Sequence, residues 1–191
     1  MTREEIRQVL IDHYKCDHAG LDLQSQQKTV LQVSRLMTRA FTYTPDNELP
    51  TDKFLSLKRG TPDQWVSRHV EIANKQIPVK GDCDDYTLTG VQCALILGVN
   101  PSRLGVVAVV DETTIRNSVK VKPQINHLIG GFYNGQDWLC CFDTWNESAF
   151  EDYLVPIGIG RNPSKKSRHS GQLIAIANEG LRWRKFPESW N

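Results

Sequence analysis

One of the five cysteines in this sequence lies where it could act as a nucleophile. Cys83 stands between Asp82 and Asp84, at the point where a glycine-containing loop runs into a predicted helix. The unpaired N–H groups and the positive dipole at a helix start stabilise a thiolate, and the same groups can form part of an oxyanion hole. The flanking carboxylates oppose this effect, because like charge raises the pKa of a thiol. We therefore expect these acids either to point away from Cys83 or to hold a cation.

A cysteine nucleophile also requires a base and an acid that orients the base. Among the five histidines, His127 is the best candidate, because it opens a predicted strand that would hold its ring rigidly, and Asp143 ends the next predicted strand. The Asn134-Gly135 dipeptide between the two strands predicts a hairpin. Direct pairing of His127 with Asp143 needs a three-residue loop, 134–136, whereas a two-residue loop sends Asp143 to the opposite face. The triad therefore predicts an odd-numbered loop or a β-bulge.

The other four cysteines are expected to be apolar filler in the core. Their odd total, the absence of a secretion signal and the length of the chain argue against a disulfide framework. No pair with the spacing of a structural zinc site occurs. Cys83 is thus the one cysteine for which the sequence predicts chemistry.

The elements that must position these residues are helices in the first half of the chain and strands in the second. Apolar spacing predicts helices over residues 2–17, 24–40, from Thr61 to before Pro78, and 82–97. Apolar, β-branched or aromatic runs predict strands over residues 104–110, 127–133, 138–142 and 173–177. This order favours an α+β fold in which a helical layer carrying the cysteine packs on an antiparallel sheet carrying the histidine and the aspartate.

Length and charge limit the classes of protein to which the chain can belong. We expect one domain over residues 1–191, with a helical extension over 1–23 and a core over about 24–180. A net charge of +1 gives no reason to expect nucleic acid as a partner, and no apolar run is long enough for a membrane span. The N-terminal residues do not form a signal peptide, which predicts action in the cytoplasm, with carriage in a phage particle or non-classical export as alternatives.

Three short blocks resemble the bacterial transglutaminase-like cysteine peptidases, within a similarity that extends over roughly residues 30–144. They are Gly81-Asp82-Cys83-Asp84-Asp85-Tyr86, Asn126-His127 and Cys141-Phe142-Asp143. The resemblance implies a papain-like fold and amide hydrolysis through an acyl-enzyme on Cys83, with His127 and Asp143 completing the triad. It also implies that Asp82 and Asp84 bind calcium, as acidic residues beside the cysteine do in some relatives. The chemistry itself requires no cofactor. For Trp65 a core position is favoured, and the alternative is that it lines the cleft or donates its indole N–H to the oxyanion.

Several functions remain compatible with these residues. The first is a cysteine peptidase or amidase acting on a protein or peptide. The second is a transglutaminase, which passes the acyl group to an amine, and the third is a hydrolase of peptidoglycan stem peptides. A catalytically inactive binding module is a further alternative, although retention of all three triad residues argues against it. The sequence makes no prediction of oligomeric state.

Overall fold

The structure is a computed structural model that describes residues 1–45, 68–110, 125–144, 154–159, 170–176 and 184–185. The helices are α1 (Arg3–Asp12), α2 (Leu23–Ala40), α3 (His69–Ala73) and α4 (Cys83–Ile96), with a 3-10 turn over Pro101–Arg103. The strands are β1 (Phe41–Tyr43), β2 (Val79–Gly81), β3 (Leu104–Val110), β4 (Ile125–Tyr133), β5 (Trp138–Phe142), β6 (Val155–Pro156), β7 (Gly158–Ile159), β8 (Ser170–Ile176) and β9 (Arg184–Lys185). None of these helices combines the length and the apolar character that a membrane crossing needs.

Seven strands form the main sheet, in the order β6-β5-β4-β3-β8-β7, with β9 also paired to β8. Its central pairs, β3–β4, β4–β5 and β3–β8, are antiparallel, and β7–β8 is parallel. The helix α4 packs against β4, to which the buried Thr87 is hydrogen-bonded. The predicted α+β arrangement of a helical layer on an antiparallel sheet is therefore confirmed.

The helix α4 is the central helix of this layer. Asp82 is its N-cap, since the carboxylate of Asp82 accepts a hydrogen bond from the N–H of Asp84. Apolar residues on all sides of the helix are buried, as expected for a helix enclosed by other elements. The helix ends before Gly98, whose φ of +94° suits glycine. The predicted helix over 82–97 is thus confirmed within a residue at either end.

The helix α1 ends earlier than its apolar stripe predicts. It stops at Asp12 instead of continuing to residue 17, because Lys15 adopts a φ of +59° that ends the helical path. Its buried residues Ile6 and Leu10 belong to the same apolar core as α2 and α4. The guanidinium group of Arg3 donates to the carbonyl of Leu95 at the C-terminal end of α4, which ties the first helix to the central one.

A small parallel pair of strands, β1 and β2, was not predicted. Phe41 pairs with Val79 and Tyr43 pairs with Gly81, so the end of α2 lies beside the segment that leads directly to Cys83. Three-residue strands are too short for a period-two pattern to be recognised. Of the helix predicted from Thr61, the described part is α3; residues 61–67, including Trp65, lie outside the described residues.

Candidate active site

Cys83 is the first residue of α4, and its side chain is partly buried. Burial raises the pKa of the Cys83 thiol to about 12; the N–H of Leu128 hydrogen-bonds to the sulfur and lowers this pKa, whereas Asp82 and Asp84 raise it further. A thiol with this pKa is protonated at neutral pH, so nucleophilic attack by Cys83 requires a base that removes its proton. The remaining cysteines, Cys16, Cys93, Cys140 and Cys141, are all buried and free of disulfides.

Leu128 of β4 is in contact with both ends of the first turn of α4. Its N–H reaches the Cys83 sulfur, and its carbonyl accepts a hydrogen bond of 3.1 Å from the buried hydroxyl of Thr87. Residues four apart share a face of a helix, which explains how Cys83 and Thr87 meet the same strand residue. These two bonds place the candidate nucleophile beside the residue that follows His127. Sequence analysis missed Thr87; the available signal was a hydroxyl side chain one helical turn after the candidate nucleophile, within an otherwise largely apolar helix.

His127 and Asp143 form a buried pair. Nε2 of His127 lies 2.7 Å from Oδ1 of Asp143, and the two side chains are only 1% and 0% exposed. When Nε2 donates its proton to the carboxylate, the other ring nitrogen, Nδ1, carries the lone pair that can accept a proton. Asp143, the carboxylate predicted to orient the base, therefore lies within hydrogen-bonding distance of the His127 ring.

The hairpin between these two residues is not built with the predicted three-residue loop. Tyr133 pairs with Trp138, which leaves a four-residue loop, 134–137, around Gly135 at a φ of +99°. The prediction of a loop over 134–136 is wrong, because Asn134 caps a longer turn by accepting bonds from the N–H groups of residues 136 and 137.

The β-bulge given as the alternative is confirmed. If the pairing of Tyr133 with Trp138 next to the turn continued in the same register along both strands, Asp143 would lie opposite Leu128. Its side chain would then point to the face opposite that of His127. The register shifts between Gly130 and Gly131, so that Gly130 pairs with Phe142 and Cys141 is the additional residue. Beyond this bulge Asp143 shares the face of His127, and the two side chains meet diagonally across the strands.

The ring of Phe142 lies between the helix and the strand next to this bulge. A Cβ atom on Gly90 of α4 would be 2.5 Å from the Phe142 ring, and one on Gly130 of β4 would be equally close on the other side. Glycine at these two positions allows the helix to approach the hairpin closely. The packing holds β5, and with it Asp143, at a set distance from α4.

Three carboxylates surround the start of α4. Asp82, Asp84 and Asp85 can each direct one oxygen into a cluster in which all the ligand atoms lie within 4.8 Å of one another. Asp85 is buried, and its Oδ1 is 3.7 Å from Nε of Arg68. The two predicted calcium ligands are therefore adjacent, and a third carboxylate joins them.

The structure pairs the candidate base, His127 of β4, with the candidate acid, Asp143, directly after β5, and it places the candidate nucleophile, Cys83 of α4, against the N–H of Leu128. No protein-family model and no curated protein match this sequence. The solved structures that are similar to it in fold include two of LapG. Calcium-bound LapG of Legionella pneumophila has a TM-score of 0.54 at 14% identity, with 99% of this chain and 92% of that chain covered. A second LapG structure from the same organism has a TM-score of 0.51 at 16% identity, with 96% and 88% covered. At these identities the similarity establishes the fold alone.

Proposed function

We propose that this protein is a cysteine peptidase or amidase with Cys83 as nucleophile, His127 as base and Asp143 as orienting acid. The observation that carries the proposal is the buried 2.7 Å pair of His127 and Asp143, together with the hydrogen bond from the N–H of the next residue, Leu128, to the sulfur of Cys83. A buried carboxylate bonded to a histidine orients the ring and stabilises its charged form during proton transfer. Further support comes from the sequence blocks around these residues, which resemble bacterial transglutaminase-like cysteine peptidases.

In the acylation step, the sulfur of Cys83 attacks the carbonyl carbon of an amide. Nδ1 of His127 accepts the thiol proton during this attack, because burial keeps the resting thiol protonated. The N–H groups at the start of α4 stabilise the negative oxygen of the tetrahedral intermediate. When the C–N bond breaks, His127 returns the proton to the leaving amine, and the acyl group stays on sulfur as a thioester.

In the deacylation step, water replaces the amine. His127 removes a proton from a water molecule, the resulting hydroxide attacks the thioester carbonyl, and Cys83 leaves with the proton that His127 returns. Asp143 stays ionised throughout and holds Nε2, so that the same ring nitrogen takes part in both steps.

We further propose that Asp82 and Asp84, with Asp85 as a third contributor, hold calcium. Clustered carboxylate oxygens are the hard donors that Ca²⁺ prefers, and one LapG structure with this fold is calcium-bound. Bound calcium would offset the carboxylate charge that raises the pKa of Cys83. The residues of the triad carry out the bond-breaking steps themselves.

A comparison of cleavage products tests the proposed activity. Wild type, Cys83→Ala and Cys16→Ala are each incubated with a bacterial proteome and with a peptidoglycan digest, and new peptide ends are identified by mass spectrometry. New ends are expected with wild type and with Cys16→Ala, whose buried cysteine lies outside the candidate site, and none with Cys83→Ala. Identical products from wild type and Cys83→Ala would refute the assignment.

Thermal unfolding with and without CaCl2 tests the metal proposal. Calcium is expected to raise the Tm of wild type, because a ligand of the native state stabilises that state. Asp84→Asn should abolish the shift, and Asp137→Asn, in the distant hairpin loop, should retain it. A wild-type Tm that does not respond to calcium would exclude a calcium site of useful affinity.

A further inference from the structure

Arg68, directly before α3, connects that short helix to the first turns of α4. Its backbone N–H donates a 3.1 Å hydrogen bond to the hydroxyl of Thr89, and its guanidinium Nε lies 3.7 Å from Oδ1 of Asp85. Asp85 and Thr89 are four residues apart and therefore share one face of α4. This face lies about half a turn from that of Cys83 and Thr87, which meets β4. The start of α4 is thus held by β4 on one side and by Arg68 on the other.

The ion pair between Arg68 and Asp85 is shielded from solvent. The two side chains are 16% and 4% exposed, so their charges are screened much less than those of a surface pair. A distance of 3.7 Å is longer than a hydrogen bond, which makes the attraction mainly one between charges. At the other end of the guanidinium group, Nη1 donates a 2.9 Å hydrogen bond to Glu71, whose side chain is more exposed. Arg68 therefore serves one buried carboxylate and one carboxylate closer to solvent.

The carboxyl group of Asp85 is also held in place by its packing against Gly81. A Cβ atom at position 81 would lie 2.5 Å from Oδ2 and from Cβ of Asp85, so this side chain lies directly against the backbone at the end of β2. The N–H of Asp85 donates a 3.1 Å hydrogen bond to Oδ1 of Asp84, which fixes the backbone at the same point. Because these contacts position Asp85 without Arg68, the main contribution of Arg68 to this site is its charge.

The carboxylate of Asp85 belongs to the acidic cluster for which calcium binding is proposed above. In this cluster, ligand atoms of Asp82, Asp84 and Asp85 lie within 4.8 Å of one another. Negative charges at such distances repel each other, and the positive end of the α4 dipole and the charge of Arg68 both offset this repulsion. A divalent cation at the cluster would be repelled by Arg68 while it is attracted by the carboxylates. Arg68 and calcium are therefore alternative counter-ions for Asp85.

We infer that Arg68 is a built-in counter-ion that competes with calcium for the charge of Asp85 and so sets the affinity of the calcium site. Arg68 stabilises the cluster while no metal is bound, and it weakens the binding of the metal. If Arg68 served only to hold Asp85 in place, its removal would weaken calcium binding instead. The inference rests on the proposed calcium site and is independent of the peptidase reaction.

Isothermal titration calorimetry of the full-length protein with CaCl2 tests this inference. Arg68→Met keeps an apolar stem and the backbone bond to Thr89 but removes the charge. It should bind calcium about tenfold more tightly than wild type, a change of about 1.4 kcal/mol. Arg68→Lys keeps the charge and should stay within about threefold of wild type. The matched control is Arg103→Met, which removes a guanidinium bonded to the Tyr133 carbonyl at the far end of β4 and should change the affinity less than about twofold.

Thermal unfolding in EDTA measures the effect of Arg68 without metal. Arg68→Met should lower the Tm under these conditions, and saturating calcium should restore part of the loss, because the metal then supplies the missing positive charge. In an Asp85→Asn background, Arg68→Met should lower the Tm much less, since the carboxylate that Arg68 offsets is gone. The same unfolding curves verify that each variant is folded.

Glu71→Gln provides a second variant at a more exposed position. It removes the other partner of Arg68, so the local charge becomes more positive and calcium should bind about threefold more weakly. This change is opposite in sign to that in Arg68→Met, although both substitutions break the 2.9 Å bond between the two side chains. Loss of that bond alone would change the affinity in the same direction in both variants.

The remaining outcomes also decide the inference. Unchanged or weaker calcium binding in Arg68→Met, unchanged or tighter binding in Glu71→Gln, or equal losses of Tm from Arg68→Met with and without the charge of Asp85 would overturn it. Calcium binding by Arg68→Met but not by wild type would support it. If neither protein binds calcium, the inference and the calcium site are both rejected, whereas Cys83-dependent cleavage products would still uphold the proposed peptidase.

Discussion

Replacing Thr87 with valine tests whether the contact between α4 and β4 positions Cys83 for reaction. Valine has nearly the shape of threonine but cannot donate the 3.1 Å hydrogen bond to the Leu128 carbonyl. A buried carbonyl that loses its partner costs about 1–3 kcal/mol in the free energy of unfolding. For a chain of this size, we expect Tm to fall by about 2–4 °C for each kcal/mol.

Thr87→Ser is the matched control. Serine keeps the hydroxyl group and removes one methyl group, which costs about 1 kcal/mol in buried apolar surface. The two variants are therefore expected to lose comparable amounts of stability. Only valine removes the hydrogen bond that fixes the first turn of α4 beside His127.

Acylation of Cys83 by p-nitrophenyl acetate, followed through the release of p-nitrophenol, distinguishes a loss of Cys83 positioning from a loss of protein stability. If about 1 kcal/mol of positioning is lost in the transition state, Thr87→Val should acylate about fivefold more slowly than wild type, and Thr87→Ser within about twofold. In a His127→Ala background, Thr87→Val should cause little further loss, because the positioning acts through the base. Equal rates for the two Thr87 variants, or equal losses with and without His127, would refute the reasoning.

Three further predictions follow from the same geometry. Iodoacetamide should modify Cys83 in the native protein much faster than the four buried cysteines, and His127→Ala should slow this labelling; peptide mapping that finds uniform labelling would exclude a special role for Cys83. Asp143→Asn should lower the p-nitrophenyl acetate acylation rate by at least about a hundredfold while the far-UV circular dichroism stays native, since the 2.7 Å partner that orients the ring loses its charge; a wild-type rate would show that Asp143 has no orienting role. Gly90→Ala should lower the Tm in spite of the higher helix propensity of alanine, because the new Cβ would lie 2.5 Å from the Phe142 ring and overpacking costs about 1–3 kcal/mol; an unchanged or higher Tm would show that the ring can move aside.

Sequence alone determined the features that depend on neighbouring residues. Asp82 accepts a bond from an N–H group two residues along the chain, so the start of α4 and the place of Cys83 at that start could be predicted. The apolar runs of β3, β4 and β5 likewise identified the strands. In each case the residues that carry the signal and the element that they form lie in one short segment.

Tertiary structure decided how these segments meet. Whether Asp143 faces His127 depends on one additional residue, Cys141, in the bulge, and nothing in the sequence of the hairpin specified where that residue would be accommodated. The parallel pairing of Phe41 with Val79 and the bond from Thr87 to Leu128 join segments about 40 residues apart. Such contacts form because α4 and the sheet bury their apolar faces against each other. Side chains alternate between the two faces of a strand, so a register shift of one residue moves an aspartate to the opposite face.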